Sequence, residues 1–176
     1  MSGVRGLIFD ASVLIDFVSH DRNLLGLVAG HVAPVVIPLP VLIEVDGLDE
    51  DGATALGLTI HESTRAQMDE AMDRPRTLSF EDYICFVTAR DLGIACVTND
   101  EALLDYCREQ GIPTMRGFRP LLLLVGIRVL TPLNSLRVVR AIHERNAYIT
   151  RAVVMAFASE VREIAHTLRA GGAADD

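Results

Sequence analysis

Asp10, Glu44, Asp82 and Asp100 each stand where a helix should begin beside a buried strand. Asp10 ends the apolar run Leu7-Ile8-Phe9, and Glu44 follows the run from Ile37 to Ile43. Asp82 lies in Leu78-Ser79-Phe80-Glu81-Asp82, and Asp100 ends Ala95-Cys96-Val97-Thr98-Asn99-Asp100. In an open α/β sheet such positions can converge on one crevice at the carboxyl ends of the strands. Converging carboxylates repel each other unless a cation or a shared proton relieves them. Mg²⁺, a hard cation, prefers oxygen ligands. The leading expectation is therefore a metal-dependent site for phosphoryl transfer or nucleic-acid cleavage.

Each acid also has a plainer reading. Asp82 can be the capping-box partner of Ser79, and Asp100 can simply favour a helix N-terminus. Asp10 and Glu44 are harder to explain this way, because a carboxylate beside an apolar run is costly to bury unpaired. Asp16, Asp46, Glu81, Glu101 and Asp105 read as solvated helix or loop residues, the alternative being that one reaches a metal through water.

The elements that would carry these acids alternate. A buried strand from Val4 to Phe9 leads to a helix over Ser12 to Val18. Val35 and Ile37 mark a second strand stopped by Pro38 and Pro40, with a helix beginning over Val41 to Val45. Asp46 to Gly52 reads as a turn or fraying helix end. A short strand over Leu58 to His61 and a helix over Thr64 to Met72 follow. Ser79 caps the next helix, which ends at Leu92-Gly93. Ile94 to Val97 is a strand, Thr98-Asn99-Asp100 opens a helix to Gln110, and Ile112 to Met115 is a last short strand. The expected fold is α/β: a three-layer α/β/α sandwich with a mostly parallel four- or five-stranded sheet, plus C-terminal helices. Residues 1–120 form the main domain and 121–170 a helical extension. Leu121 to Leu130 is helix or strand. Pro132 to Ile142 is helical, and Tyr148 to Leu168 is an amphipathic helix with an apolar stripe at Ile149, Val153, Phe157, Val161, Ile164 and Leu168.

These pieces resemble the PIN-domain family of ribonucleases, which includes toxins of type II toxin–antitoxin pairs. The matching segments are Leu7 to Ile15, Pro38-x-Pro40-Val41-x-x-Glu44, Leu78-Ser79-x-x-Asp82, and Ala89-Arg90-x-Leu92-Gly93 leading to Val97-Thr98-Asn99-Asp100-x-x-Leu103. The resemblance runs from residue 4 to about residue 117. It implies that Asp10, Glu44, Asp82 and Asp100 bind Mg²⁺ or Mn²⁺, with Ser12 and Thr98 as the hydroxyl residues beside them. It implies endoribonuclease activity leaving 5′-phosphate and 3′-hydroxyl ends. A toxin would have a small antitoxin partner, placing a basic side chain near the acids. Ala11 departs from the family, which usually has Thr there, and the tail beyond Leu121 exceeds its minimal domain. The alternatives are a noncatalytic RNA- or protein-binding scaffold of the same fold and a housekeeping RNA-processing nuclease.

Composition narrows the classes further. The net charge of −8 argues against a nonspecific nucleic-acid coat. The charge is segregated, however: residues 1–110 hold 7 Arg against 19 acids, and residues 111–176 hold 9 Arg against 5 acids. All 16 basic residues are Arg. A response-regulator receiver wants a Lys, so that reading falls. There is no Gly-rich phosphate loop and no zinc-type His or Cys spacing. Cys85, Cys96 and Cys107 read as small buried hydrophobes. No apolar run is long enough to span a bilayer, no secretory signal opens the chain, and a cytoplasmic protein is expected. The long amphipathic helix suggests a homodimer, with Arg137, Arg140, Arg145, Arg151 and Arg162 partly exposed near the substrate path; the plainer reading is a stripe that completes the monomer core and arginines that form a solvated face.

Overall fold

The computed structural model describes residues 5–172, with side chains through Ala170. It divides into two compact units, Met1–Gly117 and Phe118–Asp176.

The first unit is an α/β/α sandwich. Strands β1 (Leu7–Phe9), β2 (Val35–Pro38), β3 (Thr59–His61), β4 (Ala95–Val97) and β5 (Thr114–Met115) form one sheet in the order β3-β2-β1-β4-β5. Every pairing is parallel. Parallel strands need crossovers, and right-handed crossovers that leave β1 and β4 in opposite directions put helices on both faces. Helices α1 (Ala11–Asp21) and α2 (Asn23–His31) link β1 to β2. Short helices α3 (Leu39–Leu42) and α4 (Glu50–Ala55) lie between β2 and β3. Helices α5 (Arg65–Met72) and α6 (Phe80–Leu92) link β3 to β4, and α7 (Glu101–Glu109) links β4 to β5.

The core follows from the apolar runs. Leu7, Ile8 and Phe9 are wholly buried, as strands covered on both faces require. Burying one such side chain stabilises the fold by about 2 kcal/mol. Ile37, Cys96 and Val97 are wholly buried too, whereas Val36, expected with them, is only half-buried. Of the expected first strand, Val4 lies outside the described residues and pairing starts at Leu7. Helix α6 carries both ends foreseen for it. The Ser79 and Asp82 side chains and backbones form a reciprocal capping box, and Gly93 closes the helix at φ +63°.

Three segments depart from expectation. Helix α2 was not anticipated; its two glycines weaken its helix signal, yet Leu24, Leu25 and Val28 are buried. The stretch Asp46 to Gly52, read as a turn or a fraying helix end, turns at Asp46-Gly47 and then starts a helix, α4, whose cap is Asp49, accepting from the Gly52 N–H at 2.8 Å. Asp16, expected in solvent, is buried on the inner face of α1.

The second unit holds α8 (Arg119–Gly126), α9 (Pro132–Arg145) and α10 (Arg151–Gly172). Helix α10 packs on α8 and α9. Phe157 and Val161 are buried there, and the Phe157 ring meets that of Phe118 edge-on with centroids 5.9 Å apart. Val153, assigned from the sequence to that stripe, is 41% exposed. The inward face includes the half-buried Val154 instead: both residues lie at similar angles on either side of the Phe157–Val161 stripe, so packing rather than helical pitch decides between them. No helix among the described residues is long and apolar enough to cross a membrane.

Candidate functional site

The sheet order sets the location of the site. From β1 the chain moves to β2 on one side, while β4 pairs on the other. The crevice between the carboxyl ends of β1 and β4 is therefore the topological switch point. Asp10 directly follows β1, and Thr98 directly follows β4.

Asp10 is only 2% exposed. It is the N-cap of α1, accepting from the Val13 N–H at 2.8 Å. The Ser12 hydroxyl donates to both of its carboxylate oxygens at 3.0 Å. The Thr98 hydroxyl donates to Oδ2 through a short hydrogen bond. Thr98 is wholly buried, and its oxygen also accepts from the Asp100 N–H at 2.9 Å. A chain of bonds thus runs from the end of β1 across the switch point to the loop after β4.

Burial raises the Asp10 carboxyl to about 6, against the lowering effect of its hydrogen bonds to Thr98, Val13 and Ser12; the nearby Asp82 charge adds to the rise. Glu44 is also held above the ordinary carboxylate range, by partial desolvation and then by the charges of Glu81 and Asp82. Asp82 is thus close enough to repel both Asp10 and Glu44. Its side chain is not free of structural work, since Oδ2 accepts from the Ser79 N–H at 3.1 Å. Asp100 is exposed and caps α7, accepting from the Leu103 N–H at 2.8 Å.

The arrangement therefore gathers Asp10, Asp82 and Glu44 electrostatically and ties Asp100 to Asp10 through Thr98. It does not gather them as ligands. Among the described residues, no group of three His, Cys, Asp or Glu side chains is placed to hold a metal ion. Asp10 also has both oxygens engaged by protein donors. As folded, the acids match a divalent cation in charge but not in spacing.

Two residues of the site escaped the sequence reading. Asn99 accepts from the Gly117 N–H at 3.0 Å and so ties the loop after β4 to the chain leaving β5. A side chain at Gly117 would have its Cβ 2.6 Å from the Asn99 side-chain amide nitrogen, so a larger residue there would force the Asn99 side chain to shift. Only the flanking Thr98 and Asp100 hinted at Asn99. Glu81, read as solvated, is half-buried and adds its charge to that around Glu44. The three cysteines are free and buried.

No protein-family profile and no curated protein matches the chain. Solved structures do match. One is a PilT N-terminus domain protein from the hyperthermophilic archaeon Sulfolobus solfataricus P2, to which the chain is similar at 14% identity over 66% of its own length and 90% of that protein's, with a TM-score of 0.49.

Proposed function

We propose that this chain is a nuclease-type domain directed at RNA, and that in the conformation described it acts as a binding scaffold rather than an assembled metal centre. The observation that carries this reading is the state of Asp10. Its two oxygens are taken by Ser12, Val13 and Thr98, and no three-ligand group stands around it among the described residues. The direction toward RNA is supported by the resemblance of its motifs and by the charge split. An acidic crevice alone repels a phosphate backbone, so backbone contacts fall to the exposed arginines of the C-terminal unit, among them Arg151 and Arg162.

A second reading is favoured by the repulsion among Asp10, Glu44 and Asp82. In it the chain is a Mg²⁺- or Mn²⁺-dependent endoribonuclease, with Asp10, Glu44, Asp82 and Asp100 as the acids that hold the cation. Ser12 and Thr98 would orient them. Such an enzyme would be either a toxin with a small antitoxin or a housekeeping RNA-processing nuclease.

One experiment separates the readings. The purified chain is titrated with Mn²⁺ by calorimetry, and total cellular RNA is digested in parallel with Asp10→Asn as the control. RNA retention with no Mn²⁺ binding at millimolar concentration and no cleavage supports the scaffold. Metal-dependent cleavage that Asp10→Asn lacks overturns it in favour of the endoribonuclease. Growth arrest on expression, absent for Asp10→Asn, would then assign the toxin role. Unaffected growth would remove it.

A further inference from the structure

The surface between α3 and α4 holds an open groove of about 560 Å³. Its walls include Leu39, Leu42 and Ile43, and its rim carries Asp49, Glu50 and Asp51. Ile43 is 75% exposed, a large apolar side chain with little cover. Asp49 is held by its cap bond to Gly52, while Glu50 and Asp51 stand in the first turn of α4 and face solvent. A ligand for this groove needs an apolar anchor with positive charge beside it.

Helix α9 presents such a face. Leu133, Arg137 and Arg140 recur at helical spacing, and all are exposed. Leu133 is 58% exposed, on the side away from the buried Val138, Val139 and Ile142. Glu144 lies one turn farther along, at the end of the helix, beyond the two arginines. Helix and groove are thus complementary in apolar character and in charge sign.

We propose that the groove between α3 and α4 receives the Leu133–Arg137–Arg140 face of α9 from a second copy of this chain. Leu133 covers Ile43, and the two arginines meet the rim of Asp49, Glu50 and Asp51. The contact is heterologous, joining different surfaces on the two copies, so each addition leaves a groove and a helix face unused. Assembly therefore grows with concentration until a ring closes. It weakens with salt, because the charges lie at an accessible rim. The segregation of acids in the first 110 residues and arginines in the last 66 then has a physical consequence, head-to-tail attraction. This inference is independent of whether the chain cuts RNA.

The test is sedimentation velocity of the full chain from micromolar to millimolar concentration, at low and high ionic strength. Wild-type chain should form larger species as concentration rises, and added salt should disperse them. Arg137→Glu with Arg140→Glu should weaken association by about tenfold or more, and so should Glu50→Arg with Asp51→Arg in a separate chain. Mixing the two variants should restore it, since the reversed helix then meets the reversed groove. Circular dichroism checks that each variant keeps its helices, and rescue on mixing excludes unfolding as the cause of weakening. A wild-type chain that stays monomeric throughout at low salt overturns the proposal. So does association that either charge reversal leaves unchanged, or variants that fail to rescue one another.

Discussion

Asp10 combines two opposed demands. Its oxygens accept bonds from Ser12, Val13 and Thr98, which favour the charged form, while burial disfavours it more strongly. The folded-state carboxyl titrates at about 6, above the value of about 4 expected for an unfolded Asp. Between those values the folded chain binds more protons than the unfolded one, so stability must fall as pH rises. That rise of the Asp10 carboxyl corresponds to about 3 kcal/mol, present below pH 4 and lost by the time pH passes 6. Asp10→Asn cannot ionise. Urea unfolding from pH 4 to pH 7 should therefore show a downward slope for wild type and a much flatter one for the variant. Parallel slopes would mean that Asp10 is not the titrating group.

At the scale of the element, α6 shows how a local rule and a site can share one residue. Ser79 and Asp82 bond each other's backbone N–H groups, satisfying donors that a helix N-terminus otherwise leaves open. Asp82 also places its charge toward Asp10 and Glu44. Ser79→Ala removes one bond of the box and should cost about 1 kcal/mol of stability. It also frees the Asp82 backbone N–H and loosens the turn that aims the carboxylate. Thermal unfolding measures the cost. Carboxyl NMR of the same variant should show Asp10 titrating closer to the ordinary range, since the Asp82 charge is less firmly held near it. An unaltered Asp10 titration would show that α6 packing, not the cap, positions Asp82. Tyr83 and Phe86 are the side chains to suspect in that case, because both rings are buried against Tyr106 of α7.

At the scale of the whole molecule, charge is the property that one residue cannot carry. Contacts between arginine and phosphate release counterions, so RNA affinity should fall steeply with salt. Arg151→Glu with Arg162→Glu should weaken RNA retention and reduce the salt slope by about 2, one for each lost contact. Filter binding of mixed RNA over a salt series tests this, with Mn²⁺ calorimetry on the same variant expected to match wild type. Unchanged affinity and slope would show that these arginines are only a solvated face. Only part of the apolar stripe of α10 is covered within its own unit: Phe157 and Val161 are buried as α10 packs on α8 and α9, while Val153 is exposed.

Strand positions, the Ser79 cap and the Gly93 stop were legible in the chain because each depends on neighbours a few residues away. Apolar runs make buried strands, hydroxyl residues cap helices, and glycine adopts positive φ at little cost. The parallel sheet followed from strands alternating with helices. Helix α2 was less legible because its glycines contradict its pattern: a Cβ at Gly26 would come 3.2 Å from the Leu56 carbonyl, a constraint set by a distant residue. The buried state of Asp16 and the outward turn of Val153 were hidden for a related reason, since a helix face is chosen by what packs against it. The acids themselves were visible as chemistry, but not their spacing. Whether Asp10, Glu44, Asp82 and Asp100 come within ligating reach depends on side-chain directions at four separate elements, and Thr98, 88 positions away in the chain, takes the Asp10 oxygen first. Local sequence determines which residues start and stop each element; only tertiary packing decides which of their side chains meet, because contact energies arise between residues that the chain order leaves far apart.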